Sequence, residues 1–199
     1  MSLAVAWIAV LVIVITTTGL LLVRDWRWSI ILLAVQFLGM FVLTLQHWPL
    51  GMAAVKVVAG WMAAAILGMT RSGLAIEEAG DPFSRSGGGL FRLFAAAMVL
   101  LLMAVATPAV DTIMADAGFP VTNGALLLIG MGLLNLGMSA HILRVTIGLI
   151  TVLSGFEILY AAVEGSVLVA ALLAAINLGL ALAGAYLLIA SNAREPGST

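Results

Sequence analysis

An all-α protein that crosses a membrane about seven times is predicted by three features of the sequence. Of 199 residues, 64% are hydrophobic and only 9% are charged, and the mean hydropathy is +1.25. A soluble domain carries about 25% charged residues, so the polar surface here is too small to cover a water-soluble globule. Apolar segments recur along the chain, each close to the roughly 20 residues that a helix needs to cross the hydrocarbon. The basic residues fall on alternate connections, as multi-pass proteins arrange them.

The first segment, 3–23, starts almost at Met1 and has no basic residue before it. It is as long as a full span, so it reads as an uncleaved transmembrane helix rather than a signal peptide. The charged run RDWRW separates it from the second segment, 28–46. HWP separates the second from the third, 50–70, and Pro49 suits the first turn of a helix. A polar stretch rich in Gly and Ser, 71–92, reads as a flexible cytoplasmic loop and a candidate contact for a cytoplasmic partner. The fourth span is 93–110. An outer loop, 111–122, precedes the fifth span, 123–140. The sixth is 143–163 and the seventh 167–190, followed by a cytoplasmic tail, 191–199. Grouped, these give a four-helix N-terminal region, 1–110, and a three-helix unit, 123–190.

Charge sets the orientation. Arg24, Arg27, Arg71, Arg85, Arg92, Arg144 and Arg194 all fall on one side of this arrangement. The other side carries Asp111, Asp116 and Glu164 but neither Lys nor Arg. Lys and Arg accumulate on the cytoplasmic side. The expected protein therefore has its N-terminus outside and its C-terminus in the cytoplasm, in the inner (cytoplasmic) membrane of the cell. Trp26 and Trp28 are expected at the inner interface and Trp7 and Trp48 at the outer one, as an aromatic belt. Trp61 falls mid-helix, where packing against a neighbour is expected.

Composition also narrows the chemistry. A net charge of −1 gives no electrostatic basis for binding nucleic acid. Cysteine is absent, which removes disulfides, thiol catalysis and iron–sulfur ligation from this chain. Two histidines far apart in sequence offer little for a metal site. No nucleophile–base spacing or phosphate loop is present, so no catalytic residue and no cofactor are expected.

What stands out is polar residues inside apolar spans. Ionisable groups in hydrocarbon are expensive, by roughly 2.5 kcal/mol or more. Glu157 lies in the sixth span, about 5 Å outward of its midpoint, and Lys56 lies in the third, about 6 Å outward. The two charges are thus expected at similar depth. Lys56 could snorkel to the outer surface along its aliphatic stem. Alternatively, Lys56 and Glu157 form a buried structural ion pair. The sharper reading is a proton relay. Desolvation favours the neutral form of a carboxyl group and a nearby cation favours the charged form, and a group balanced between them can exchange protons. Asn177, near the middle of the seventh span, and Asn135 and Ser139, four residues apart in the fifth, read as interhelical hydrogen-bond donors and acceptors or as supports for such a path. His141 is expected at the inner interface, and Glu164 near water at the end of the sixth span.

The run HILRVTIGLITVLSGFEILYAAVEGS, followed by an Ala/Leu/Gly-rich helix, resembles the three-helix K subunit of respiratory complex I and the C subunit of Mrp-type cation/proton antiporters. GFEIL is similar to the carboxylate-bearing turn of the former, and ILRVTIGL to the opening turn of the middle helix in the latter. With four helices ahead of that unit, and AVKVVAGWMAAAILGMTR in the third, the whole chain resembles component E of hydrogenase-4. Anchoring on GFEIL puts Glu157 on the complex I carboxylate. Anchoring on ILRV puts it about one turn later, where the other relatives tend to have histidine. The second glutamate that complex I carries in its last helix is missing here, where the sequence reads LLAAINLGLALAG around Asn177.

The resemblance implies a small, cofactor-free membrane-arm subunit of a complex I-related ion-translocating complex. It would be driven by redox chemistry or by an antiporter-like subunit, with larger antiporter-like partners. Glu157 would be its proton or sodium-ion relay, Lys56 the charge beside it and Asn177 a group that organises water. The alternatives are a structural adaptor that docks larger subunits, and an Mrp-type antiporter subunit.

Overall fold

The computed structural model describes residues 3–74, 88–114 and 117–194. Among these residues the chain forms seven helices, each long and apolar enough to cross a membrane. They are α1 (Leu3–Leu22), α2 (Trp26–Thr44), α3 (Leu50–Ser72), α4 (Gly88–Ile113), α5 (Phe119–Gly137), α6 (Ile142–Val163) and α7 (Val167–Arg194). The shortest span 19 residues, or about 28 Å at the rise of an α-helix, close to the thickness of the hydrocarbon. The chain is a multi-pass membrane protein.

Several helix ends differ from expectation, each for a local reason. α2 starts at Trp26 because Asp25 caps it, its side chain accepting a hydrogen bond from the Arg27 N–H at 2.9 Å. Pro49 is the N-cap of α3, one position before the expected first turn. Arg71 sits in the last turn of α3 rather than in a loop, where a cation meets the negative end of the helix dipole. α4 begins before its apolar run and takes in Arg92, which is buried and donates to the Leu21 carbonyl at 3.3 Å. It also runs through Pro108 to Ile113. Asp111, expected at the start of the outer loop, instead lies in α4 and accepts a 2.9 Å hydrogen bond from Thr122. α5 starts at Phe119, with Gly118 at φ 81° ahead of it, a conformation that glycine adopts without a steric penalty. Arg85, Asp116 and residues 195–199 lie outside the described residues, as does most of the loop expected between α3 and α4.

The helices form two layers. α1, α2 and α3 pack side by side in chain order, and so do α4, α5, α6 and α7. α1 lies on α5, α2 on α5 and α6, and α3 along α7. The core between the layers is apolar, with Ile13, Leu33, Leu43, Leu128 and Ile150 fully buried. α4 is peripheral, and only Arg92, Ala96 and Thr107 of it are buried.

Hydrocarbon outside the protein gives apolar side chains no reason to leave it, so membrane helices associate through close packing and polar contacts. Small residues supply the close packing here. A Cβ on Gly155 of α6 would lie 2.6 Å from the Ala125 carbonyl oxygen of α5, and one on Gly132 of α5 would lie 2.7 Å from Val152. The buried positions of α7 include Ala170, Ala174, Ala181 and Ala185.

Among the described residues, Arg27, Arg71, Arg92 and Arg144 collect at one end of the bundle. Arg144 donates to the Val23 carbonyl at 2.9 Å. Arg27 and Arg71 both lie over the Trp26 ring, 5.5 Å and 5.9 Å from its centre. Together with Arg92 they surround the C-terminal end of α1.

Replacing Gly155 with Ala is expected to lower stability by about 1–3 kcal/mol, because the obstructing atom is backbone and cannot turn aside. Gly179→Ala, which meets nothing within 4 Å, is the control and should be neutral or mildly stabilising. Thermal unfolding in detergent, followed by helical circular dichroism, checks both.

Candidate functional site in the bundle core

Three side chains from three helices meet at one buried point. Glu157 faces the core because α6 buries Ile150, Ser154, Glu157, Ile158 and Ala161, positions spaced three and four apart on one side of the helix. Lys56 Nζ, from α3, lies 2.7 Å from Glu157 Oε1, at once an ion pair and a hydrogen bond. Asn177 Nδ2, from α7, donates to the same oxygen at 3.1 Å. Exposure is 1% for Lys56 and 0% for both Glu157 and Asn177. Snorkelling is therefore not what Lys56 does. α3 packs on α2 and α7, and the long lysine stem reaches from it to α6. The matched depths expected from the sequence bring the charges together.

The two carboxylate oxygens are used unequally. Oε1 accepts from both Lys56 and Asn177, whereas Oε2 takes no hydrogen bond among the described residues. Asn177 Oδ1 is likewise buried without a donor. An ionised carboxylate has about four lone-pair sites. Oε2 is therefore an open acceptor for a proton or for a donor such as water.

On the side of the α3 and α7 N-termini the pair is covered by Trp48. Its ring centre lies 5.9 Å from Lys56 Nζ, and its Nε1 donates to the Glu164 carbonyl at 3.0 Å. Trp48 packs with Ala161, Ala170, Met52 and Tyr160. At 3% exposure it is not the interfacial belt residue expected. Glu164 is exposed and is the C-cap of α6, as its expected place at that helix end requires, but its carbonyl also fixes Trp48.

Going the other way along α6, the buried polar groups continue with Ser154 and Thr151, at 0% and 2% exposure. Gln36 of α2, 1% exposed, donates to Thr151 Oγ1 over a long 3.4 Å contact. Sequence reasoning missed these three and the part played by Trp48. The one signal was Gln36, an amide in the interior of an apolar span; the hydroxyls at 151 and 154 carry none along the chain.

Asn135, Ser139 and His141 gather at the far end of α6 from Glu157. Ser139 lies beyond the last residue of α5 and donates to Asn135 Oδ1 at 3.3 Å. His141 is exposed at the N-cap of α6. They do not join the triad. Trp61, half exposed, donates to the Ala34 carbonyl of α2 at 3.1 Å. Among the described residues no group of three or more His, Asp or Glu side chains comes together.

Removing one member of a buried pair strands the other charge, at a cost of about 3–5 kcal/mol. Lys56→Met and Glu157→Gln are each expected to lose stability on that scale, while the double variant recovers most of it. Thermal unfolding of all four proteins gives the coupling. Additive losses would contradict the pair. No family model, curated protein or solved structure matches the chain, so the reading of its function rests on these side chains.

Proposed function

We propose that the chain is a small membrane-arm subunit of a complex I-related, hydrogenase-4-like ion-translocating complex, and that Glu157 is a protonatable stop on its ion path. The observation that carries this is the Lys56–Glu157–Asn177 triad, sealed in the bundle with one carboxylate oxygen open. Ionisable groups buried in membrane helices mark proton relays and ion pathways. Lys56 balances the charge of Glu157, and Asn177 orients its carboxylate. Protonation at Oε2 turns a neutral pair into one with net charge +1, so each proton taken up changes the attraction between α3 and α6. A charge change of that kind couples an ion path to the packing of neighbouring helices.

In this reading the last three helices are the unit that resembles the complex I K subunit. The arginine-bearing ends of the helices face the cytoplasm, and the N-terminus lies outside, in the inner (cytoplasmic) membrane. Larger antiporter-like subunits complete the path that a single glutamate leaves unfinished. The long exposed apolar faces, such as that of α4 with Leu101, Leu102 and Val105, suit either lipid or those subunits. A second reading, a structural adaptor, is favoured by the short 2.7 Å contact and the Trp48 cover, which equally suit a static clamp between helices.

The two readings part in the assembled complex. Glu157→Gln, made together with Lys56→Met so that no charge is stranded, is expected to lower ion movement in native membrane vesicles roughly tenfold or more while the subunits still co-purify. Normal ion movement with intact assembly would overturn the relay, and loss of assembly alone would favour the adaptor.

A further inference from the structure

The surroundings of the triad are unlike on its two sides. Towards the N-termini of α3 and α7 the pair is covered by a cluster of apolar and aromatic side chains, Trp48, Met52, Tyr160, Ala161 and Ala170. The indole N–H that could wet this side is engaged by the Glu164 carbonyl, which also ties the α2–α3 connection to the α6–α7 connection. Towards the arginine-bearing end, polar groups continue. Ser154 and Thr151 lie about 4.5 Å and 9 Å further along α6 from Glu157, and Gln36 meets Thr151 from α2.

What these groups lack is informative. Among the described residues, three buried atoms in this region have no hydrogen-bond partner: Glu157 Oε2, Asn177 Oδ1 and Gln36 Oε1. All three are acceptors. Leaving such atoms dry is expensive, so the species they fit is a hydrogen-bond donor. A metal cation fits poorly, because the Lys56 ammonium already occupies the cation position at Oε1. Water or hydronium fits. The hydroxyls of Ser154 and Thr151 donate back to the Ile150 and Ile147 carbonyls at 2.8 Å and 2.9 Å. The Ser154 oxygen is thereby left to accept from a water, the Thr151 oxygen accepts from Gln36 Nε2 and has one lone pair left, and the spacing along α6 is one that one or two waters span.

Deepening the proposed function and resting on it, we propose that Glu157 exchanges protons with one side of the membrane only. The route is a hydrated line along Ser154, Thr151 and Gln36 from the arginine-bearing end, and Trp48 closes the opposite side. A hydronium at the aqueous face passes its proton to the first water of the line and is left as water. The last water gives a proton to Oε2, forming the O–H bond of a neutral carboxylic acid while Lys56 keeps its ammonium. The reverse steps return the proton to the same face. Delivery to the other side needs either displacement of Trp48 or a partner subunit.

The chain has no cysteine, so single thiols report water access without background. Ser154→Cys and Thr151→Cys are made in the full chain in its own membrane, in vesicles of both orientations. Ser139→Cys marks the arginine-bearing face and Gly165→Cys the opposite one. Silver ion, close to water in size, is the probe, and thiols left unreacted are tagged with maleimide after denaturation. Both test thiols are expected to react at least about tenfold faster from the Ser139 face than Ala63→Cys, a fully buried apolar control, since thiols in apolar surroundings are inert. From the Gly165 face they should match the control, and adding Trp48→Ala should raise that rate about tenfold. Adding Gln36→Leu should return the Ser139-face rate to control.

Test thiols no faster than the control would overturn the line. Equal access from both faces with Trp48 intact, or no effect of Trp48→Ala, would overturn the closure. Either result can stand beside a Glu157→Gln, Lys56→Met variant that has lost ion movement, in which case the relay survives and only its route falls. If that variant leaves ion movement normal, the relay falls whatever the thiols report.

Discussion

The register of α3 against α6 is constrained by one contact, the 2.7 Å bond between Lys56 and Glu157. Neither charge is tolerable in hydrocarbon alone, and each becomes so only beside the other. That requirement fixes the depth of α3 relative to α6, because a shift of one turn, about 5.4 Å, would break the bond. Asn177 adds α7 to the same point. Between α5 and α6 the register is set instead by close packing at small residues, as where Gly155 meets the Ala125 backbone. The ion pair thus does for the two layers what a polar residue in a coiled-coil seam does for its strands: it selects one alignment.

The packing around the triad follows from the need to bring backbones close. Gly132 and Gly155 let α5 and α6 approach to backbone distance, and α7 presents alanines. Phe37 fills the space over Gly60, where a Cβ would fall within its ring. With helices this close, side chains of ordinary length meet across them, and the longest reach is left to lysine. Trp48 completes the enclosure on one side through both its ring and its N–H, the amphipathic use of an indole that buried tryptophans usually show.

Much of this was legible in the sequence because the relevant physics is one-dimensional. Span number follows from apolar length, and the matched depths of Lys56 and Glu157 follow from counting residues inward from the charged ends. Asn177 was legible for the same reason. Gln36, Thr151 and Ser154 were not. Hydroxyl residues are common in membrane helices, where they bond to their own preceding turn, so nothing along the chain distinguishes Thr151 from Thr16 or Thr17, which are also buried and back-bonded. Their relation to Gln36 exists only once α2 lies on α6. Trp48 was misread because a tryptophan at a helix end looks the same whether it meets headgroups or folds over a lysine. The start of α4 was misread because its N-terminal part is held by tertiary contacts such as that of Arg92 with the Leu21 carbonyl rather than by hydropathy.

The unequal use of the Glu157 oxygens bears on whether the triad is static. Buried polar networks stabilise when every member is satisfied, and are a liability when they are not. A bidentate arginine would engage both carboxylate oxygens. Here a lysine and an asparagine both bond to Oε1, and among the described residues Oε2 and Asn177 Oδ1 have no donor. Lysine also offers a compact ammonium whose proton affinity responds to its surroundings, whereas a guanidinium stays charged. A site that holds a carboxylate in place by one oxygen and keeps the other open is suited to taking up and releasing a proton without coming apart.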